Sequence, residues 1–353
     1  SAICSRTTSV LPPRSHRLGA RGAPSAAFDY AWGRTSGKLQ GSTWSPQRRS
    51  RGFAMERGRS LLAALLGLLA AGAVSAAGDG GDTKMQPHIY PSDGPTSFRF
   101  PFGAPVLRRL PSASSHRRVF VLGAYPSALH VRWTPPGSTK AIRAIPVDNE
   151  PEPFWDGTDE AEKVAAWKRA VGFDTKPWGA TEPAGELNGS SGAWLRDQVF
   201  VPFGVSRGDA WITDVLDTYR VSDDAEGRLA DTYARLPANA KVPPWALAPH
   251  PSESEIVQEG LEPSQRHRLI EELRAAQPTV IVTLGNAALR VLRELLAEDG
   301  GTAAPTSLSS GRNYGTPVTV HMGGRTMTWF PLVHPGAYRK NPDFRAAHGS
   351  WVA

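Results

Sequence analysis

The sequence is almost without sulfur: its 353 residues hold one cysteine, Cys4, and four methionines. A single thiol excludes an internal disulfide framework, a cysteine zinc site and a four-cysteine iron–sulfur cluster, so any metal would have to rest on histidine and carboxylate ligands. Long apolar runs are scarce as well. The clearest, Leu61 to Val74, is too short to span a bilayer comfortably. Most of the chain also lacks the basic surplus that its net charge of +7 suggests. Residues 1–84 hold 12 Lys/Arg against 4 Asp/Glu, which leaves 28 basic and 29 acidic residues in 85–353. Any contact of the folded part with nucleic acid must therefore be local rather than a broad positive field.

The N-terminal segment divides in two. Residues 1–54 are rich in Arg, Ser, Gly and Pro with no lasting apolar period, and such a composition predicts disorder because it cannot offset the entropy of ordering a chain. From Met55 the order is a basic stretch, the apolar run and then Val74-Ser75-Ala76, the layout of an export signal over 55–77. Met85 stands just before everything that looks folded. Three readings stay open: a reading frame extended upstream of a start near Met85, which leaves a cytoplasmic product; a real export signal on a secreted α/β protein; or a surface or targeting tail.

Residues 85–117 are Pro- and Ser-rich with Phe98, Phe100 and Phe102 alternating, an extended lead-in. The remainder, 118–353, reads as one domain. Val119–Leu122, Asp209–Val215, Pro278–Gly285 and Thr328–Val333 are short apolar runs, each closed by a turn that carries a polar residue or glycine. Between them lie predicted helices at Asp159–Val171, Trp194–Phe200, Gln265–Ala276 and Asn286–Ala297, with a short one at Ala225–Leu236 inside an otherwise irregular 221–262. Trp133–Glu152, with Pro135-Pro136-Gly137 and Ile142-x-x-Ile145-Pro146-Val147, reads as a loop with room for a hairpin. Apolar strands alternating with helices predict an α/β three-layer sandwich around a mostly parallel four-stranded sheet. Ligands then bind beyond the carboxyl ends of the strands.

Five segments carry a resemblance: Gly123-Ala124-Tyr125-Pro126-Ser127, Gly185-Glu186-Leu187-Asn188-Gly189-Ser190-Ser191-Gly192, Asp209 to Leu216, Pro278 to Ala288, and His334-Pro335-Gly336. In this order and at these separations they resemble the uracil-DNA glycosylase superfamily, in particular the thermophilic and bacterial branch with a Gly-x-x-Pro first motif, without its iron–sulfur cysteines. The resemblance covers roughly Val119 to Trp351. It implies a monofunctional, monomeric base-excision repair enzyme that needs no cofactor and acts on DNA containing uracil or another deaminated base.

The departures bear on chemistry. The family's first motif normally carries an acidic or amide residue that holds the hydrolytic water, and Ala124 and Tyr125 stand there instead. The family's stacking aromatic is replaced by Leu187 or Asn188, and its base-pairing Asn by Asp214. The resemblance therefore also leaves room for a catalytically altered member that binds nucleic acid or a free nucleobase.

Carried over residue by residue, the resemblance makes His334 the donor to the carbonyl oxygen on which charge grows; a histidine capping a strand turn is the plainer alternative. Asp214 would accept an N–H of the base or activate water, or cap the helix after its strand. Tyr125 would stack on the base or turn its hydroxyl inward, or pack over the sheet edge. Gly123, Pro126 and Asn188 are substrate-pocket candidates. For DNA contacts the candidates are Ser127, His130 and Arg132 after the first motif, and Tyr338, Arg339 and Lys340 after His334, with Tyr338 as a wedge into the duplex; solvated loops are the alternative for both groups.

Overall fold

The computed structural model describes residues 117–220, 251–297, 305–308 and 312–353, together with the backbone of 98–99 and 105–106. The disorder expected of residues 1–84, the aromatics Phe100 and Phe102, and the helix expected at Ala225–Leu236 lie outside the described residues.

In chain order the elements are β1 (Phe98–Arg99), β2 (Pro105–Val106), β3 (Val119–Gly123), β4 (Ala128–Thr134), β5 (Ile142–Asn149), α1 (Glu160–Val171), α2 (Thr175–Trp178), β6 (Ala180–Pro183), α3 (Ser190–Trp194), β7 (Ala210–Asp214), α4 (Glu253–Gly260), α5 (Pro263–Ala276), β8 (Val280–Leu284), α6 (Asn286–Ala297), β9 (Val318–Met322), β10 (Arg325–Leu332), α7 (Pro335–Lys340) and α8 (Pro342–Val352). The extended lead-in is represented by the antiparallel pair β1 and β2.

The main sheet runs β7-β3-β8-β10-β9. The four strands expected from the apolar runs form one parallel set, and β9 adds a fifth, antiparallel to β10. Every residue of β3, β7 and β8 is buried, as continuous apolar runs require when both faces of a sheet are covered. The side chains separate by the period of two. Phe120, Leu122, Trp211, Ile281 and Trp329 face a layer built from Ile256 of α4, Leu269 and Leu273 of α5 and Leu289 and Leu292 of α6. Val119, Val121, Ile212, Val282 and Phe330 face Trp194, Leu195 and Phe200, with Phe344 and Trp351 of α8 packed against them. Three layers result, and each fully buried Leu, Val or Phe contributes roughly 1.5–3 kcal/mol to holding them.

Local sequence explains where the helices start. Helix α4 opens on a reciprocal capping box between Ser252 and Glu255. Helix α5 has Pro263 at its first position, where the missing N–H costs nothing. Helix α6 follows Gly285 and buries seven residues on the sheet. The expected helix at Trp194–Phe200 is found as α3 continued by a π-turn over Leu195–Phe200.

One expectation needs extension. The stretch Trp133–Glu152, read as a loop with room for a hairpin, holds the turn and second strand of a hairpin that starts earlier, at Ala128, and belongs to a second, three-stranded antiparallel sheet ordered β5-β4-β6 that was not expected. Its core is tryptophan-rich: Trp133, Trp155, Trp167 and Trp178 are all buried. Pro146 sits in β5 opposite His130, next to a register shift, the kind of irregular position where a strand tolerates proline. Helix α4, within a stretch expected to be irregular, is a second addition.

Candidate active site at the carboxyl edge of the sheet

The two inner parallel strands, β3 and β8, each end at a glycine, and the two outer ones lead into polar side chains. Gly123 pairs with Asp214 across β3 and β7, and Gly285 donates its N–H to the Leu332 carbonyl at 2.8 Å. A Cβ on Gly123 would collide with Oδ1 of Asp214 and stand 2.6 Å from the Phe154 ring. A Cβ on Gly285, whose φ of +96° already favours glycine, would stand 3.2 Å from the Cβ of His334. Strands β7 and β10 are three strand spacings apart, about 14 Å. Asp214 therefore leans over the end of β3, and His334 stands beside Gly285 at the end of β8, both at the same edge of the sheet.

His334 caps α7: its Nδ1 accepts the Gly336 N–H at 3.1 Å. That bond leaves the ring proton on Nε2. Burial, with a smaller push from the Arg339 charge, lowers its pKa to about 4. His334 is thus a neutral imidazole at pH 7 that offers one N–H in a fixed direction.

Asp214 is 5 % exposed. It lines a small pocket with Pro126, Pro153, Thr213, Leu216, Asp217 and Arg268. Arg268, 1 % exposed, holds this wall from behind. Its Nη2 donates to the carbonyls of Asp214 and Val215 at 2.8 and 2.7 Å, its Nη1 to Glu272 at 2.7 Å and Thr213 at 3.2 Å, and its Nε to Gln265 at 2.9 Å. Tyr125 is partly buried against the same core; burial, then the nearby Asp214 charge, pushes its pKa up to about 12. It offers a hydroxyl and a ring face, and no base.

The aromatic ring packed beside Gly123 at this edge is Phe154, a residue the sequence did not single out. It is 5 % exposed and has a φ of +52°, a conformation that costs a bulky residue energy and persists only where its surroundings impose it. Those surroundings are specific. Buried Glu150 accepts the backbone N–H of Ser127 at 2.8 Å and that of Trp155 at 2.9 Å, tying the first-motif loop to the Phe154 segment. Arg207 donates to the Phe154 carbonyl at 2.9 Å. Gly192 packs so closely on the Phe154 and Trp155 carbonyls, and Gly189 on the backbone of Asp156 and Gly157, that a Cβ at either would collide with them. The glycine-rich turn therefore buttresses the aromatic instead of supplying it.

The other expected residues separate clearly. Pro126 lines the pocket. Asn188 does not face it: its Oδ1 accepts from the His130 N–H at 2.9 Å and its Nδ2 donates to the His130 carbonyl at 2.8 Å, so it pins the turn to β4. Leu187 is about half exposed. The His130 ring meets Tyr219 edge-on at 6.2 Å, and burial lowers its pKa to about 4. Arg132 is exposed on β4, 3.9 Å from Glu182. Ser127, Arg339 and Lys340 are exposed, with Arg339 donating to the Ser190 carbonyl at 3.2 Å. Tyr338 is packed at 5.3 Å from both Trp194 and His348, an anchored position that does not fit a protruding wedge. Among the described residues no group of His, Cys, Asp or Glu side chains is placed to hold a metal ion, and no helix is long and apolar enough to cross a membrane.

The carboxyl edge of the parallel strands thus carries a neutral histidine after β10 and, at β7, a buried Asp214 that lines a small pocket, the edge where ligands of open α/β sheets bind. Residues 176–349 match the model of the Uracil DNA glycosylase superfamily, so this part of the chain carries a domain of that superfamily. No curated protein matches the chain. The matched span begins after the first motif; strand pairing of β3 with β7 and β8 brings that motif to the same edge.

Proposed function

We propose that this chain is a monofunctional DNA glycosylase that hydrolyses the N-glycosidic bond of a base extruded from DNA, with uracil and other deaminated bases as the first substrates to assay. The observation that supports this reading is the placement of Asp214 beside Gly123 and of His334 beside Gly285 at one edge of the parallel strands. An extruded base would lie against the Phe154 ring, with its polar edge toward Asp214. The Nε2–H of His334 would donate to the base carbonyl oxygen as the glycosidic electrons move into the ring, a contribution of about 3 kcal/mol to lowering the barrier. Being neutral, His334 would keep that proton throughout. Asp214 would accept an N–H of the base or orient the attacking water. Exposed Ser127, Arg339 and Lys340 would meet phosphates on either side. The Gly-x-x-Pro branch is the nearest pattern for the first motif.

A second reading has its own observation: Ala124 and Tyr125 occupy the positions of the water-handling residue, and the Tyr125 hydroxyl is no base. A member so altered would bind nucleic acid or a nucleobase without cleaving. Single-turnover assays with oligonucleotides bearing uracil, hypoxanthine or xanthine, single-stranded and duplex, separate the two. The glycosylase reading expects release, slowed roughly 10²–10³-fold by His334→Ala. No release from any substrate at large enzyme excess would sink it, and release that ignores both His334→Ala and Asp214→Ala would reject this site.

A further inference from the structure

We infer that Arg268 is a positioning residue of this site: from the buried face of α5 it holds the backbone that joins Asp214 to the first motif. The inference rests on the glycosylase reading for the reaction it serves, and on geometry for the hold itself. The Asp214–Val215 and Val215–Leu216 peptide groups lie at the end of β7, the outer strand of the main sheet. On their inner side the N–H of Val215 donates to the Gly123 carbonyl at 3.0 Å, and that of Leu216 to the Ala124 carbonyl at 2.9 Å. A trans peptide turns its carbonyl the opposite way from its N–H, so the Asp214 and Val215 carbonyls face away from β3. Both are received by Nη2 of Arg268, at 2.8 and 2.7 Å. Two successive peptide groups thus bridge the first motif on one side and a single guanidinium on the other.

Helix α5 also grips the residues on either side of these carbonyls. Nη1 of Arg268 donates to Thr213 Oγ1 at 3.2 Å, and Gln265, which accepts from Nε of Arg268, donates to Asp217 Oδ1 at 3.2 Å. Stability alone does not call for this arrangement. Arg268 and Glu272 form a buried ion pair, and replacing such a pair with apolar side chains is often neutral or stabilising, because desolvation offsets the attraction. An apolar pair cannot supply donors to the outward carbonyls, however, so the guanidinium contributes the conformation it imposes on them. Lysine is no substitute, since its ammonium is a point charge without the planar fork that spans several acceptors.

The test compares the full wild-type chain with the double variant Arg268→Met, Glu272→Met and with Arg268→Lys. Amide exchange of Val215 and Leu216, followed by NMR beside that of Val282 in β8 and a urea melt, separates a local release of this backbone from global unfolding. Both variants are expected to lose protection at Val215 and Leu216 while Val282 follows the melt. Single-turnover release, from whichever deaminated-base oligonucleotide the wild type cleaves, is expected to slow roughly 10²-fold at saturating enzyme, the cost of a displacement of about 1 Å. The enzyme concentration giving half the maximal rate is expected to stay the same. A residue that only stabilised the fold would show neither effect in a double variant whose stability is largely recovered. Protection retained in both variants would overturn the inference, as would wild-type release by variants that have lost it. If the wild-type chain releases no base, the glycosylase reading fails, and the exchange measurement still decides whether Arg268 holds this backbone. If the wild type releases base and protection is unchanged in the variants, that reading stands and the inference fails.

Discussion

Replacing Gly123 by alanine tests the geometry of the site with a single methyl group. The position lies in a regular strand, so the backbone tolerates the change and only space is at issue. The new Cβ would stand 2.6 Å from the Phe154 ring and closer still to Oδ1 of Asp214. Carbon contacts settle near 3.5–4.0 Å, so the ring must retreat by about 1 Å and the carboxylate must swing away with it. Phe154 has little freedom to do so, since its segment is tied to Glu150 and Arg207 and backed by Gly192. Overpacking of this kind costs about 1–3 kcal/mol, and a displacement of about 1 Å in a positioning group costs on the order of 10²-fold in rate. Gly123→Ala is therefore expected to shift the urea midpoint modestly, to lower single-turnover release roughly a hundredfold, and to leave binding of undamaged DNA unchanged. The assay is rate against enzyme concentration beside a urea melt. An alanine variant with wild-type release would show that Asp214 and Phe154 do not form the reacting site.

Two further outcomes follow from the buried charges. Arg268→Ala leaves Glu272 buried without its partner and strips the Asp214 and Val215 carbonyls of their donors, so about 3–5 kcal/mol of stability is expected to be lost in a urea melt. Replacing Arg268 and Glu272 together with methionine is expected to recover much of that loss, and a double variant as unstable as the single one would refute the account. Burial holds both His130 and His334 near pKa 4, below the unfolded value near 6.5. The unfolded chain takes up these protons first as the pH falls, so stability present above about pH 6.5 is lost between there and about pH 4. His334→Gln is expected to flatten part of that slope in melts from pH 7.5 to 4.5, and an unchanged slope would place the acid sensitivity elsewhere.

How far the sequence could be read followed from what each element buries. The strands of the parallel set are covered on both faces, so Val119–Leu122 and Val280–Leu284 stand out as apolar runs. Helix α6 was legible to the residue because its seven buried positions recur at helical spacing after a glycine. Strands β4 and β5 were legible only as room for a hairpin, and their sheet was not: they carry Arg132, Pro146 and Asp148 and fold over a tryptophan core assembled from four separate segments. The His334 and Asp214 positions were legible as strand ends. The place of Phe154 was not, because what brings it to Gly123 is a close approach that no spacing encodes. The packing of Tyr338 against Trp194 and against His348 of α8 was not legible for a similar reason.

The touching backbones of Gly157 and Gly189 have a further consequence for how this chain can vary. Everything from Thr158 to Asn188, with α1, α2 and β6 inside it, leaves the site wall and returns to it at nearly the same point. Its length is therefore uncoupled from the distance between Phe154 and α3. The excursion can lengthen, shorten or exchange its outer surface while Phe154 keeps its place, so α1 and α2 are where such a chain has room to change without disturbing the edge of the main sheet.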